Sequence, residues 1–267
     1  MQIKQYTEDA VSLLRKLIAT PSTSRDEKAA ADIMEQEMHR LKLDTHREAN
    51  NVWAVGKHYD SHKPTLLLNA HIDTVRPVAS WTRDPFKPEL DGDTLYGLGS
   101  NDCGGGLVSL LQTFRYLDEQ GCAGYNIVYL ASAEEEVSGK DGISRAIPLL
   151  PHIDVAIVGE PTGMQPAVAE KGLMVLDLTA HGKSGHAARG EGVNALYKAL
   201  DDLVWIRDYR FKRISPHLGA TVMNATVINA GTQHNVVPDV CNIVVDVRTN
   251  ELYTNEEVYQ FINENTQ

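Results

Sequence analysis

Leu66-Leu67-Leu68-Asn69-Ala70-His71-Ile72-Asp73 is the stretch on which the reading of this chain turns. An apolar run of strand length meets a His-x-Asp, so a buried strand ends in an imidazole with a carboxylate two residues on. Such a carboxylate fixes the ring tautomer and raises its basicity, which makes His71 a candidate metal ligand and Asp73 its orienting partner. Downstream, Leu95-Tyr96-Gly97-Leu98-Gly99-Ser100-Asn101-Asp102 closes on an acid just before Gly104-Gly105-Gly106. An isolated His-x-Asp is weak; the strand before it and the carboxylates after it give it weight.

Two further apolar runs lead to acids in the same way. Asn126 to Ala131 reads as a strand delivering the chain into Glu134-Glu135-Glu136, and Asp154 to Val158 as a short buried strand delivering Glu160. In open α/β sheets, ligands bind outside the carboxyl ends of the strands. His71, the Glu135-Glu136 pair and Glu160 are therefore expected in one crevice. Three adjacent acids are more often a solvated run, but here they follow a buried strand and would repel one another without cations. One Glu can then face a metal and its neighbour a water, as a general base. For Asp102, capping of the following helix competes with bridging of two cations. A phosphate loop is disfavoured, since neither Gly-Lys-Ser/Thr nor G-x-G-x-x-G occurs here. A mixed His and carboxylate set suggests zinc, cobalt or manganese. Two such ions about 3.5–4 Å apart would activate a shared water and polarise a carbonyl.

The 267 residues allow one large or two ordinary domains, and 42% hydrophobic with 23% charged residues is ordinary globular composition. A formal net charge of −11 argues against nucleic acid or an anionic membrane as partner. Cys103, Cys122 and Cys241 show no C-x-x-C spacing, so neither a disulfide framework nor a thiolate zinc site is expected, and a reducing cytoplasm fits. Neither a membrane span nor a signal peptide is apparent.

Around the motifs, apolar spacing predicts a helix over 7–19 and another opened by a capping box at Ser24-Arg25-Asp26-Glu27. A strand pair turns at Asn50-Asn51, a hairpin at Asp91-Gly92-Asp93, and a helix runs from Gly104 to Glu119. Beyond Glu160 the texture changes. Alternation over 167–180, an amphipathic helix over 194–208, strands over 220–230 and 240–248, and a helix capped at Thr254 give the order β-α-β-β-α. That is a ferredoxin-like pattern lacking its last strand. A second domain is placed at 169–267, after a first at 1–168.

Leu68-Asn69-Ala70-His71-Ile72-Asp73-Thr74-Val75, Tyr96-Gly97-Leu98-Gly99-Ser100-Asn101-Asp102, Ala133-Glu134-Glu135-Glu136 and Val158-Gly159-Glu160-Pro161-Thr162 together resemble the M20 metallopeptidase and deacylase family. Within it the chain is most similar to acetylornithine deacetylases, including the N-acylcitrulline branch, with succinyl-diaminopimelate desuccinylases further off. The resemblance implies an α/β fold: a zinc-peptidase-like catalytic domain with a mixed central sheet flanked by helices, and a smaller ferredoxin-like α+β lid that mediates dimerisation. It implies two divalent ions, zinc or cobalt. His71 and Glu160 would bind one, Glu136 the other, and Asp102 both. Glu135 would be the general base and Asp73 the residue orienting His71, and a cis peptide is expected at Asp102-Cys103. His186 matches a lid histidine that polarises the scissile carbonyl. Asn235 and Arg248 match substrate-contacting positions, Arg248 suiting a substrate α-carboxylate.

The implied activity is removal of an N-acyl group from an amino acid such as N-acetylornithine or N-acylcitrulline, in arginine biosynthesis. Desuccinylation of succinyl-diaminopimelate and dipeptide cleavage are the alternatives within the family. Leu98 and Gly104 stand where many members carry Arg and Lys around the bridging Asp, which fits a sub-branch. Family members continue past the position of Gln267, where a return segment supplies the last His ligand of the second metal. On that comparison the chain is expected to be C-terminally truncated, with the lid's last strand absent. An inactive metal-binding remnant is then the alternative from another class.

Overall fold

The computed structural model describes residues 3–122 and 124–266; the outer domain limits expected at Met1 and Gln267 fall outside the described residues. The chain divides into two compact units, Met1–Met164 and Gln165–Gln267.

The first unit opens with helices α1 (Ile3–Ile18) and α2 (Lys28–Arg40), a hairpin of β1 (Asp44–Glu48) and β2 (Asn51–Val55), and strand β3 (Thr65–His71). A small hairpin, β4 (Glu89–Asp91) and β5 (Thr94–Tyr96), leads into a π-helical turn over Ser100–Gly105 and then α3 (Gly106–Gln120). Strand β6 (Asn126–Ser132), the short α4 (Ile143–Ala146) and β7 (Val155–Val158) follow. The five strands form one mixed sheet in the order β1-β2-β6-β3-β7, with β3 parallel to both β6 and β7.

Strand side chains alternate between the two faces of a sheet, and the apolar runs feed both. Leu68 and Ala70 of β3 and Ile127, Tyr129 and Ala131 of β6 meet Leu13, Met34, Leu107 and Phe114 from the three long helices. Leu67, Val128 and Leu130 turn the other way, onto Trp53 and Ala146. Burial on both faces is why β3 and β6 read as unbroken apolar runs rather than alternating ones. The register sets the site. His71 lies opposite Ser132, and Asn69 opposite Val158. The carboxyl ends of β3 and β6 are thus level, β7 ends two residues short of them, and the chain leaves all three toward Glu135 and Glu160 on the same side as His71.

Three local expectations are corrected. The Val155–Val158 run is not buried: Val155, Ile157 and Val158 are 51%, 49% and 54% exposed, because among the described residues β7 is an edge strand paired with β3 alone. Helix α2 has no side-chain cap from Ser24; its N-cap is Glu27, and the Ser24 hydroxyl is drawn into the site described below. The helix expected from Gly104 begins at Gly106, after backbone at Asp102 and Cys103 that departs from helical angles.

The second unit comprises β8 (Gly172–His181), β9 (Gly185–His186), α5 (Ala195–Asp208), β10 (Ile214–Ser215), β11 (Gly219–Ala220), β12 (Val222–Ala230), β13 (Val236–Val237), β14 (Val240–Thr249) and α6 (Asn255–Asn265). Its main sheet is antiparallel, in the order β12-β14-β8. Cys241, Ile243, Val245 and Val247 alternate inward from β14 against Ala195, Ala199 and Ile206 of α5 and Val258 and Ile262 of α6. The capping box at α6 is present, with Thr254 and Glu257 each bonding the other's backbone N–H. The short pairs β9–β13 and β10–β11 had no signal in the sequence, since two-residue pairings carry no periodicity.

Leu68, 1% exposed in β3 between β6 and β7, supports both the core and the strand that ends in His71. Leu68→Ala is expected to cost about 2–5 kcal/mol, read as a lowered denaturant midpoint at unchanged m-value.

Candidate metal centre

His71 is the buried anchor of the centre: its side chain is 1% exposed. Its Nε2 looks out of the sheet end toward acids that reach it from separate segments. Asp102 Oδ1 lies 3.1 Å away, Glu160 Oε1 3.8 Å and Glu135 Oε2 3.9 Å. Glu136 joins them, since ligand atoms of His71, Asp102 and Glu136 all fall within 4.8 Å of one another. Of the expected ligands and base, none is stranded elsewhere: His71, Asp102, Glu135, Glu136 and Glu160 come together at the carboxyl ends of β3, β6 and β7.

Asp73 ties the constellation together, though not as simply as a His–carboxylate pair. The closest partner of His71 Nδ1 is the backbone carbonyl of Asp73 at 2.8 Å, with Oδ1 at 3.4 Å. Accepting from Nδ1–H turns Nε2 to the outer acids. The Asp73 carboxylate then accepts the backbone N–H of Glu135 at 3.0 Å, the N–H of Glu136 at 3.2 Å and the Ser24 hydroxyl at 2.7 Å. One buried acid therefore fixes the His ligand, the base and the second Glu at once. Glu134, just before them, sits in the left-handed region with φ 54°. Its N–H donates to the fully buried Glu27.

Asp102 does not cap α3. Its side chain turns to His71 instead, and the Asp102–Cys103 peptide is cis. The glycines that follow allow a close approach. A Cβ on Gly106 would lie 2.0 Å from the Gly159 carbonyl oxygen, and one on Gly159 would lie 3.1 Å from Gly106 Cα. Backbone contact at this pair draws the segment carrying Asp102 against the segment carrying Glu160.

The electrostatics suit a cation. Burial works to lower the His71 pKa, but hydrogen bonding to Asp73 and Cys103 overrides it and pushes it up to about 12. Burial also acts to raise the pKa of Asp73, yet bonds from His71, Ser24 and the Glu135 N–H hold it below the usual carboxylate range. Burial, then the neighbouring Asp102 charge, pushes Glu136 up. Carboxylates that crowd one another and hold a proton on an imidazole form a field that a divalent cation satisfies better than a proton. The donors fit. Ligand atoms of His71, Asp102 and Glu136 lie within 4.8 Å of one another, as do those of His71, Cys103 and Glu160, so His71 stands between two candidate ion positions.

Cys103 is the residue that sequence reading left out. Its Sγ accepts the His71 N–H at 3.1 Å, and it groups with His71 and Glu160 as possible ligands. Burial pushes the thiol's pKa up, and its Sγ also donates to the His71 carbonyl at 3.3 Å. Ser24 and Glu27 were legible only as a helix start.

The remaining expected residues lie in the second unit. His186 Nδ1 accepts the Ala188 N–H at 3.2 Å, which leaves the ring proton on Nε2 as an outward donor. Asn235 sits beside it: its carbonyl accepts the Ala187 N–H, and Val236 pairs with His186. Arg248 is forked onto Asp246 through Nε and Nη2, so any other carboxylate would have to share it.

Known proteins match on both units. The model of the M20 peptidase dimerisation domain matches residues 168–266, and that of peptidase family M28 residues 46–148. An acetylornithine deacetylase from Pectobacterium carotovorum subsp. carotovorum (strain PC1) is 32% identical over 263 residues, covering 89% of this chain and 67% of that protein. The chain belongs to the M20 peptidase family. A succinyl-diaminopimelate desuccinylase from Wolbachia pipientis is 27% identical, covering 96% of this chain and 68% of that protein. The M20 metallo-carboxypeptidase Sso-CP2 from Sulfolobus solfataricus shares the fold with a TM-score of 0.74 at 18% identity, covering 99% of this chain and 75% of that one. As an M20 protein the chain is a metal-dependent amidohydrolase. No helix among its described residues is long and apolar enough to cross a membrane.

Because His71 holds a proton in the metal-free M20 centre, loading must displace it. Calorimetric titration with Zn²⁺ at pH 7, in buffers of different ionisation enthalpy, is expected to show about one proton released with the first ion and affinity rising with pH. Binding without proton release would contradict a protonated His71 as the group that the ion displaces.

Proposed function

We propose that this M20 chain removes the acyl group from an Nα-acylated amino acid of the N-acetylornithine or N-acylcitrulline type, a step of arginine biosynthesis. The observation that carries the reading is the meeting of His71, Asp102, Glu135, Glu136 and Glu160 at one sheet edge. The acyl-amino-acid class draws support from the deacetylase relative. The proposed loading is two ions, zinc or cobalt: one held by His71, Asp102 and Glu160, the second by Asp102 and Glu136. When bound, they would supply Lewis-acid polarisation of the amide carbonyl and acidify water at the site.

The chain's own residues do the proton work. Glu135 projects from the strand end with its side chain half exposed, 3.9 Å from His71 Nε2, while its backbone is fixed by Asp73. It accepts a proton from the attacking water and delivers it to the departing amine. Asp73 keeps His71 and the Glu pair in register. His186, its proton on Nε2, is assigned to donate to the carbonyl oxygen as negative charge develops there. Asn235 and Arg248 are assigned to the substrate, Arg248 to its α-carboxylate. A homodimer formed through the second unit and a cytoplasmic location complete the proposal, supported by the dimerisation-domain match and by three free thiols.

A second reading, desuccinylation of succinyl-diaminopimelate, draws on the 27% identical relative. Release of free amine from N-acetylornithine, N-acetylcitrulline, N-succinylcitrulline and N-succinyl-diaminopimelate by zinc- or cobalt-loaded protein separates the two. Glu135→Gln is expected to lower kcat by about 10²–10⁴-fold while metal content stays at the wild-type level. Turnover of none of the four substrates, with Glu135→Gln indistinguishable from wild type, rejects the deacylase reading.

A further inference from the structure

The turn between α1 and α2 carries no ligand and no base, yet it is built into the metal centre. Ser22 and Ser24 run alongside Thr74. The Thr74 N–H donates to the Ser22 carbonyl at 2.9 Å, the Ser24 N–H to the Thr74 carbonyl at 3.3 Å, and Thr23 forms a parallel bridge with Thr74. That pairing sets the Ser24 hydroxyl 2.7 Å from Asp73 Oδ2, the oxygen that also accepts the Glu136 N–H. The turn is held from behind. Arg25 adopts φ 75°, and its N–H donates to Glu27 Oε1 at 2.6 Å. The same Glu27 oxygen accepts the Glu134 N–H at 3.3 Å, and Oε2 accepts from Asn50 Nδ2 at 3.1 Å. Glu27 is fully buried, so these bonds are made out of water, where a missing partner is costly. The turn thus touches the Glu134-Glu135-Glu136 segment twice, through Asp73 and through Glu134.

We infer that Ser24 is a positioning residue of the hydrolase centre: through Asp73 it sets where His71 holds a metal and where Glu135 meets water. A hydroxyl donor fits this place because Asp73 must stay an acceptor on both oxygens. A carboxylate with every lone pair spoken for cannot rotate and carry the His71 ring and the Glu backbone with it. The inference rests on the metal-centre reading of the proposed function, and its first readout needs no substrate.

The test compares Ser24→Ala and Ser24→Thr with wild type, each titrated with Co²⁺ and followed by the visible absorption of the bound ion, with hydrolysis of the best substrate measured alongside. Ser24→Ala is expected to weaken the first Co²⁺ by about tenfold, within the 10–100-fold range for partners that orient ligands. It should also shift the visible band and lower kcat more than it changes KM. Ser24→Thr, which keeps the donor, is expected to restore all three. The backbone pairing of Ser24 with Thr74 is independent of its side chain, so both variants should stay folded, Ser24→Ala melting lower by no more than the loss of one charge-assisted hydrogen bond and Ser24→Thr like wild type. Wild-type cobalt affinity and spectrum in Ser24→Ala overturn the inference, as does a loss that threonine does not recover. If wild type binds Co²⁺ but hydrolyses none of the four substrates, the proposed function fails, and the cobalt comparison alone decides the role of Ser24.

Discussion

Everything at this centre depends on one buried carboxylate. Asp73 accepts the Ser24 hydroxyl and the N–H groups of Glu135 and Glu136, and it lies against the His71 ring. These four groups belong to three stretches of chain far apart in sequence. Each contact is a modest hydrogen bond taken alone, worth about 1–3 kcal/mol when one partner is charged. Together they leave the carboxylate no alternative arrangement. The base can therefore be solvent-facing without being loose: its side chain is half exposed while its backbone is pinned.

Sheet topology explains why a single acid can do this. With β3 parallel to both β6 and β7, three carboxyl strand ends open onto one side of the sheet. The bridging Asp102 arrives from outside the sheet and needs a different device. The Gly106–Gly159 contact lets two backbones approach more closely than any side chain would permit, which brings Asp102 and Glu160 to the same imidazole. Ligand geometry here is a consequence of where backbone can touch backbone.

Much of this was legible in the sequence, for reasons that also mark where reading stops. His71, Glu135 and Glu136 were legible because a doubly buried strand leaves an unbroken apolar run with its functional residue beyond the end, and Glu160 because an apolar run leads to it too, although its strand is an exposed edge. The M20 resemblance supplied Asp102 and the cis peptide after it, which composition and spacing leave open. Ser24 was misread because a Ser followed three residues later by Glu carries the same signature whether the Ser caps a helix or reaches across to another strand. Only the position of Asp73 in space tells these apart. Val155–Val158 misled for a similar reason: an apolar tetrad on a central strand and one on an edge look identical along the chain. Cys103 could not be recognised as a neighbour of His71, because the contact is set by the turn between β5 and α3 and not by spacing.

The most direct test of this account is anomalous diffraction at the zinc edge from crystals of the zinc-loaded protein. The account predicts a peak about 2.0–2.2 Å from His71 Nε2 and from oxygens of Asp102 and Glu160, with the Glu135 carboxylate facing it but not bound to it. A zinc peak that avoids His71, or one ligated by Glu135 in place of Asp102, would contradict it.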